Sequence, residues 1–355
     1  MELDLHAILQ VVWFILIGVL FVGYAVLDGF DLGVGSLYPF LGKTEADKAV
    51  MRRSVGPVWD GNEVWLLTAG GAMFAAFPHV YASVFSGFYL ALMVFLFALI
   101  FRAGAMEFRA HDPAWAKFWD GALFVASFLP ALLSGVAVGN IIVGLPLGTD
   151  GYFVAARNAA GEPAFLGNLI AALNPYAIII GLVSVAWVLL HGATWLGIKA
   201  TGDLYDRAKK AARVLGIAFA VLFAGSWAAT AFMLPDVYAR ATGSIWGWLF
   251  AVAAVIGIVG VIRGATSKSD HLAFLGSGLA GASLVGIWAA SIFPNMVPST
   301  GIGDSLTIFN ASSSQLTLTV MAIIAAIGVP LVLVYHFLIY RAYAGRVVLT
   351  EGEEY

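Results

Sequence analysis

Nine stretches of this chain stay apolar for about the length of a bilayer crossing, with short polar segments between them. A hydrocarbon core of about 30 Å takes about 20 helical residues to span. The stretches fall at about 7–28, 59–78, 80–101, 120–141, 174–197, 212–234, 244–262, 271–293 and 315–340. Their length rules out strands, and their nearly continuous hydrophobicity predicts helices with lipid or protein on every side. The expected fold is therefore all-α: a polytopic membrane protein of nine transmembrane helices.

Charge placement orients the bundle, because Lys and Arg are retained on the cytoplasmic side. With the N-terminus outside, 16 of the 18 basic residues fall inside, leaving only Arg157 and Arg240 outside. Lys268 is one of the 16. The sequence starting Met1-Glu2-Leu3-Asp4 lacks a basic signal-peptide n-region, and the apolar run after it is too long for an h-region. It reads as a retained first span, with the C-terminus cytoplasmic.

Composition agrees. The chain is 61% hydrophobic and 11% charged, against about 25% charged in a soluble domain. No basic block marks a nucleic-acid partner, so the bilayer is the expected surrounding. With no cysteine, disulfides, iron–sulfur clusters and thiolate ligation are excluded. Any metal chemistry would rest on the histidines and carboxylates.

A weak internal repeat divides the helices. Phe77-Pro78-His79-Val80-Tyr81-Ala82 returns as Leu234-Pro235-Asp236-Val237-Tyr238-Ala239, 157 residues on, and Leu27-Asp28-Gly29 returns as Leu190-His191-Gly192 at an offset of 163. A shorter first loop in the second copy explains the difference. Four helices per copy give both copies the same direction through the membrane. The expected division is a first four-helix repeat over 1–141, an outside linker over 142–173, a second repeat over 174–297, and a peripheral ninth helix with its tail over 298–355.

Against this apolar background the carboxylates stand out. Asp28 and Asp31 close the first predicted span, three residues apart and so on one helix face; Asp60 and Glu63 open the second with the same spacing, flanked by Trp59 and Asn62. Arg102 ends the third. The topology gathers all five charges at the cytoplasmic ends of adjacent helices. A charge at the bilayer centre costs about 2.5–3.5 kcal/mol, so such residues face a partner or a water path, and acids beside one arginine suit proton entry. The blander reading makes them headgroup-level markers of helix ends, with Asp60 favoured by a helix N-terminus. In the second copy, the positions matching Asp60 read Ile217-Ala218-Phe219-Ala220-Val221-Leu222-Phe223. Acids needed only to build a bundle would be needed there too.

Of the six histidines, His191 and His336 are the most embedded; no two share a helix, and none forms a cluster suited to haem and copper. The Trp and Tyr residues at span ends fit interfacial belts.

Asp28-Gly29-Phe30-Asp31-Leu32-Gly33-Val34-Gly35, Trp59-Asp60-Gly61-Asn62-Glu63-Val64-Trp65-Leu66, Thr68-Ala69-Gly70-Gly71-Ala72, Phe85-Ser86-Gly87-Phe88-Tyr89 and Phe101-Arg102 together resemble the N-terminal signature of subunit II of cytochrome bd-type quinol oxidases. Phe128-Leu129-Pro130 and Phe293-Pro294-Asn295 extend the likeness. The resemblance implies a membrane quinol:oxygen oxidoreductase of the prokaryotic cytoplasmic (inner) membrane. A haem-bearing subunit I would carry two haems b, one haem d and the quinol-oxidation site. This chain would be the scaffold, can hold a structural quinone, and would lend an acid to cytoplasmic proton uptake. Asp60 matches that acid, Asp31, Asp28 and Glu63 are its companions, and Arg102, Asn62 and Trp59 support them. A small third subunit is a further expected partner. The rival reading, a secondary transporter built from two parallel four-helix repeats, lacks matched helix breaks at the midplane.

Overall fold

The computed structural model describes residues 4–157, 161, 164–267 and 269–349. The N-terminal Met1-Glu2-Leu3, the middle of the expected linker, Lys268 and the last six residues lie outside the described residues.

The chain is helical nearly throughout. In order come α1 (Leu5–Leu41), α2 (Glu45–Val55), α3 (Trp59–Ala76), α4 (Pro78–Gly87), α5 (Tyr89–Phe108), α6 (Ala116–Val143), α7 (Phe165–Ala172), α8 (Pro175–Lys199), α9 (Gly202–Met233), α10 (Pro235–Gly243), α11 (Ile245–Thr266), α12 (Asp270–Ile292), the short strands β1 (Asn295–Val297) and β2 (Leu306–Thr307), and α13 (Gln315–Ala342). Among the described residues, eight helices are long and apolar enough to cross a bilayer: α1, α5, α6, α8, α9, α11, α12 and α13. The stretch expected at 59–78 is also a helix, but α3 has 18 residues. Asp60, Asn62 and Glu63 in its opening turns lower its hydropathy, and it is not among the eight.

Several helices outrun their apolar stretches. Expected to end at Asp28, α1 continues to Leu41 and stops at Gly42, whose N–H bonds to Tyr38 O. The two acids therefore lie inside the helix, not at its end. The polar connection between the first two expected spans folds as α2, begun by a capping box in which Thr44 and Asp47 satisfy each other's backbone N–H groups.

At the centre lies α8, with 67% of its apolar window buried, whereas only 6% of the α13 window is. Close approach of α1 to α8 depends on two glycines: a Cβ on Gly33 would lie 2.2 Å from Val188 O, and one on Gly192 would lie 2.3 Å from Gly33 C. Small residues at a crossing let two helices exchange dispersion contacts backbone to backbone, the main attraction left in lipid.

The two halves share a local feature. α3 ends at Phe77 (φ −134°, ψ 66°) and α9 at Leu234 (φ −137°, ψ 64°), and in each a proline then begins a short helix, α4 or α10. Beyond α6, the segment expected as a free linker is partly structured. Leu145 N–H bonds to Pro298 O and Thr300 N–H to Leu145 O, tying it to the turn that joins the antiparallel pair β1–β2. The peripheral α13 is pinned at one end by Trp13 Nε1 donating to Leu318 O at 2.9 Å. At the other end, Lys199 Nζ donates to Tyr343 O at 2.5 Å.

Candidate functional site

The first half of α1 is apolar, but from Tyr24 onward one face carries Tyr24, Asp28, Asp31, Gly35 and Tyr38, spaced three or four residues apart. Asp28 is fully buried and Asp31 is 4% exposed. Headgroup-level acids would be wet; these are not, so the helix-end reading does not describe them.

Their partners come from α3, α5 and α13. Arg102, on the α5 face turned toward α1, places Nη1 2.7 Å from Asp28 Oδ1 and Nη2 2.8 Å from Glu63 Oε2. Its guanidinium carbon also lies 5.9 Å from the centre of the Trp59 ring. Asn62 donates from Nδ2 to Asp31 Oδ2 at 2.8 Å and to Leu27 O at 3.2 Å. Its Oδ1 accepts from Tyr340 OH at 2.9 Å. One guanidinium thus serves a cluster of three carboxyls. It can neutralise only one of them, and uncompensated buried charge is costly.

Asp60 is separate. It lies on the opposite face of α3, exposed, and no hydrogen bond or ion pair joins it to the cluster among the described residues. That face continues with Val64, Leu67 and Phe74, which are 47%, 67% and 60% exposed. The expectation of five charges in one group is corrected accordingly. Four converge, and the fifth faces outward, because Asp60 lies in the first turn of α3, two residues before the buried Asn62 and so nearly across the helix from it.

Three further residues escaped the sequence reading. Tyr38 continues the Asp28–Asp31 face seven residues on, a spacing visible in the sequence. Arg52 on α2 donates from Nη1 to Tyr38 OH, and Tyr340 reaches Asn62 across 278 residues of sequence; neither leaves a local signal. Together with Asp31 and Arg102, Tyr38 and Arg52 line a small cleft that is partly open to the exterior.

The α2 cap over this cleft is held by charge. Arg109 bonds Asp120 at 2.5 Å and Glu45 at 2.6 Å, and Lys48 bonds Asp120 at 2.7 Å. Burial acts to raise the Glu45 carboxyl, but hydrogen bonds from Arg109 and Lys48 outweigh it and hold the group below its ordinary value of 4.5.

Neither embedded histidine offers a haem a free nitrogen. His191 places Nδ1 2.7 Å from Ser277 Oγ and Nε2 2.9 Å from Val26 O, stacked against Phe274. His336 accepts from Trp65 Nε1 at 3.1 Å, and its Nδ1 lies 2.9 Å from Val332 O. Neither of these two histidines therefore fits a haem. Among the described residues no three His, Cys, Asp or Glu side chains group as metal ligands.

The family profile described as "Cytochrome bd terminal oxidase subunit II" matches residues 9–343. The chain belongs to the cytochrome bd terminal oxidase subunit II family. It is 36% identical to the cytochrome bd-I ubiquinol oxidase subunit 2 of Escherichia coli K12 over 98% of this chain and 97% of that one. It is 35% identical to the cytochrome bd ubiquinol oxidase subunit 2 of Bacillus subtilis 168, over 98% and 100%. Among solved structures, a chain of the bd oxidase from Geobacillus thermodenitrificans superposes with a TM-score of 0.78 at 17% identity, covering 94% of this chain and 98% of that one, a likeness of fold. As a subunit II, the chain is one part of a terminal oxidase, and the transporter reading is set aside.

Proposed function

We propose that this chain is the proton-conducting scaffold of a quinol:oxygen oxidoreductase, docked through the α3 face that carries Asp60 onto a haem-bearing subunit I. The observation that carries the reading is Asp60 itself: a carboxylate with no hydrogen-bond or ion-pair partner among the described residues, on an exposed face that continues with Val64, Leu67, Thr68, Gly71 and Phe74. Left against lipid, it would pay the cost of a bare charge. Covered by a partner subunit, it becomes a polar point at the interface, positioned to pass protons across. The buried group of Asp28, Asp31, Glu63 and Arg102, drawn from α1, α3 and α5, supplies further carboxyls that can hold a proton.

The haems of the partner, two b and one d, supply the electron transfer and oxygen binding. Quinol is the electron donor. A structural quinone against this chain and a small third subunit complete the proposed complex. Reduction of oxygen to water consumes cytoplasmic protons while quinol releases its own outside, so charge separates without a pump. The role of this chain is to bind, orient and relay those protons.

The same proposal includes nine spans, α3 among them, with the N-terminus outside in a prokaryotic inner membrane. Charge asymmetry supports the direction, and α3 at about 27 Å is close to bilayer thickness. The matched junctions at Phe77–Pro78 and Leu234–Pro235 support two four-helix repeats followed by α13.

Asp60→Asn should lower oxygen consumption by at least about tenfold while the complex assembles with normal haem content. Unchanged turnover at normal haem content would refute the proton role of Asp60.

A further inference from the structure

The segment beyond α6 carries a helix whose polarity is reversed. Of the eight residues of α7, Asn168 is the only one with a polar side chain, and it is turned inward: its Oδ1 accepts from Ala156 N–H at 3.1 Å. Phe165, Asn168, Leu169 and Ala172, three or four residues apart, line a cleft against residues 86–91 at the α4–α5 junction. The outward stripe is Leu166 and Ile170, 65% and 63% exposed, continued by Leu173 at 44% just past the helix end. A helix standing in water puts its polar residues outside. This one has none there.

The position of α7 says what covers that stripe. Phe165 packs its ring 5.6 Å from that of Tyr89, the first residue of α5. Ala172 O accepts from Asn140 Nδ2 near the end of α6 at 2.7 Å, and Asn174 then caps the start of α8 through Ala177 N–H. The short helix therefore lies across the ends of three long apolar helices, at the level where they stop. The next exposed large apolar residues along the chain are Ile178 and Leu182 on α8, with no charged residue between them and Phe165. The apolar surface thus passes from α7 to a helix long enough to cross the bilayer. A protein partner is held by hydrogen bonds around its apolar anchors; the side chains of Leu166, Ile170 and Leu173 offer none, and acyl chains ask for none. We propose that α7 is an interfacial helix, lying flat in the leaflet at these helix ends with Leu166, Ile170 and Leu173 among phospholipid acyl chains. On the orientation proposed above, this is the outer leaflet. At about 12 Å the helix is too short to cross, and an interfacial helix sinks its apolar face about 5–10 Å into the boundary between headgroups and acyl chains. Through Asn168 and Ala156 it holds the preceding segment at the membrane surface.

The absence of cysteine from this chain gives a thiol label a single site in it. Leu166→Cys and Ile170→Cys are made separately in the complete complex, labelled with a methanethiosulfonate nitroxide and reconstituted in vesicles of phosphatidylethanolamine and phosphatidylglycerol. The haem spectrum reports assembly, and complex without a substitution, treated in parallel, gives the background from other subunits. Electron paramagnetic resonance compares collisions with oxygen, which concentrates among acyl chains, and with a nickel chelate, which stays in the water on both sides. Both labels should favour oxygen and read depths of about 5–10 Å below the phosphates, whereas a label at Thr149→Cys, in the exposed turn before Asp150, should favour the chelate. Collisions that favour the chelate at either α7 position overturn the proposal, because the stripe then faces water. Few collisions with either reagent also overturn it, because a protein surface then covers the stripe.

Discussion

Replacing Arg102 with Gln tests the electrostatics of the buried cluster most directly. The guanidinium lies 2.7 Å from Asp28 and 2.8 Å from Glu63. The two acids differ in what they lose, since the Asp28 side chain is 0% exposed and that of Glu63 is 20% exposed. Glu63 can recover some hydration; Asp28 cannot. Removing one partner of a buried ion pair costs about 3–5 kcal/mol. The upper end is bounded, because neutralising an ordinary aspartate with a proton at pH 7 costs about 4 kcal/mol. The expected destabilisation is therefore about 3–4 kcal/mol, roughly two to three orders of magnitude in the folding equilibrium. Asp28→Asn in the same chain removes the stranded charge and should restore about 2 kcal/mol or more. The assay is the yield of assembled complex in membranes and the thermal midpoint of its haem absorbance for both single variants and the double. A midpoint for Arg102→Gln equal to wild type, or a double variant less stable than Arg102→Gln alone, would refute this account of the pair.

Two other predictions follow from the packing and the surface charges. Gly33→Ala must separate α1 from α8, since its Cβ would meet Val188 O at 2.2 Å. It should destabilise the detergent-solubilised complex by about 1–3 kcal/mol, whereas Gly18→Ala on the same helix, with nothing within 4 Å, should be neutral; equal denaturation midpoints would contradict the close crossing. Glu45→Gln should lower the thermal midpoint modestly at pH 7, because the Glu45 side chain is 61% exposed. The carboxyl is held below 4.5, so its contribution is present above that pH and lost as pH falls through the lower folded value. The gap between variant and wild type should therefore close below pH 4.5, and a constant gap would sink the assignment.

The helices were legible because lipid imposes a pattern that any reader of hydropathy can follow, and the charged residues were conspicuous against it. What the sequence hid were the places where polar residues do not end a helix. Asp28 and Asp31 looked like a terminus because a wet loop is the commonest explanation of paired acids; Arg102 and Asn62 remove the need for one. Asp60 and Glu63 looked equivalent at a spacing of three, yet α3 turns them to different surroundings, which only the position of α1 decides. The tie between Tyr340 and Asn62 depends on where α13 docks, and no local rule places a peripheral helix.

Comparison of the two halves bears on why the charges are there. In the proposed repeat the position matching Asp28 is held by His191, fully buried and bonded to Ser277 and to Val26 O. At the 157-residue offset the counterpart of Arg102 is Val259, 42% exposed on α11. On the proposed repeat, one copy is built around a hydrogen-bonded imidazole and the other around three carboxyls and a guanidinium. Packing alone does not require the charges, and replacing a buried ion pair with well-packed neutral groups is often stabilising. The acid-rich version imposes a desolvation cost that the neutral version avoids. A cluster present despite that cost fits the proposed proton role better than a packing role.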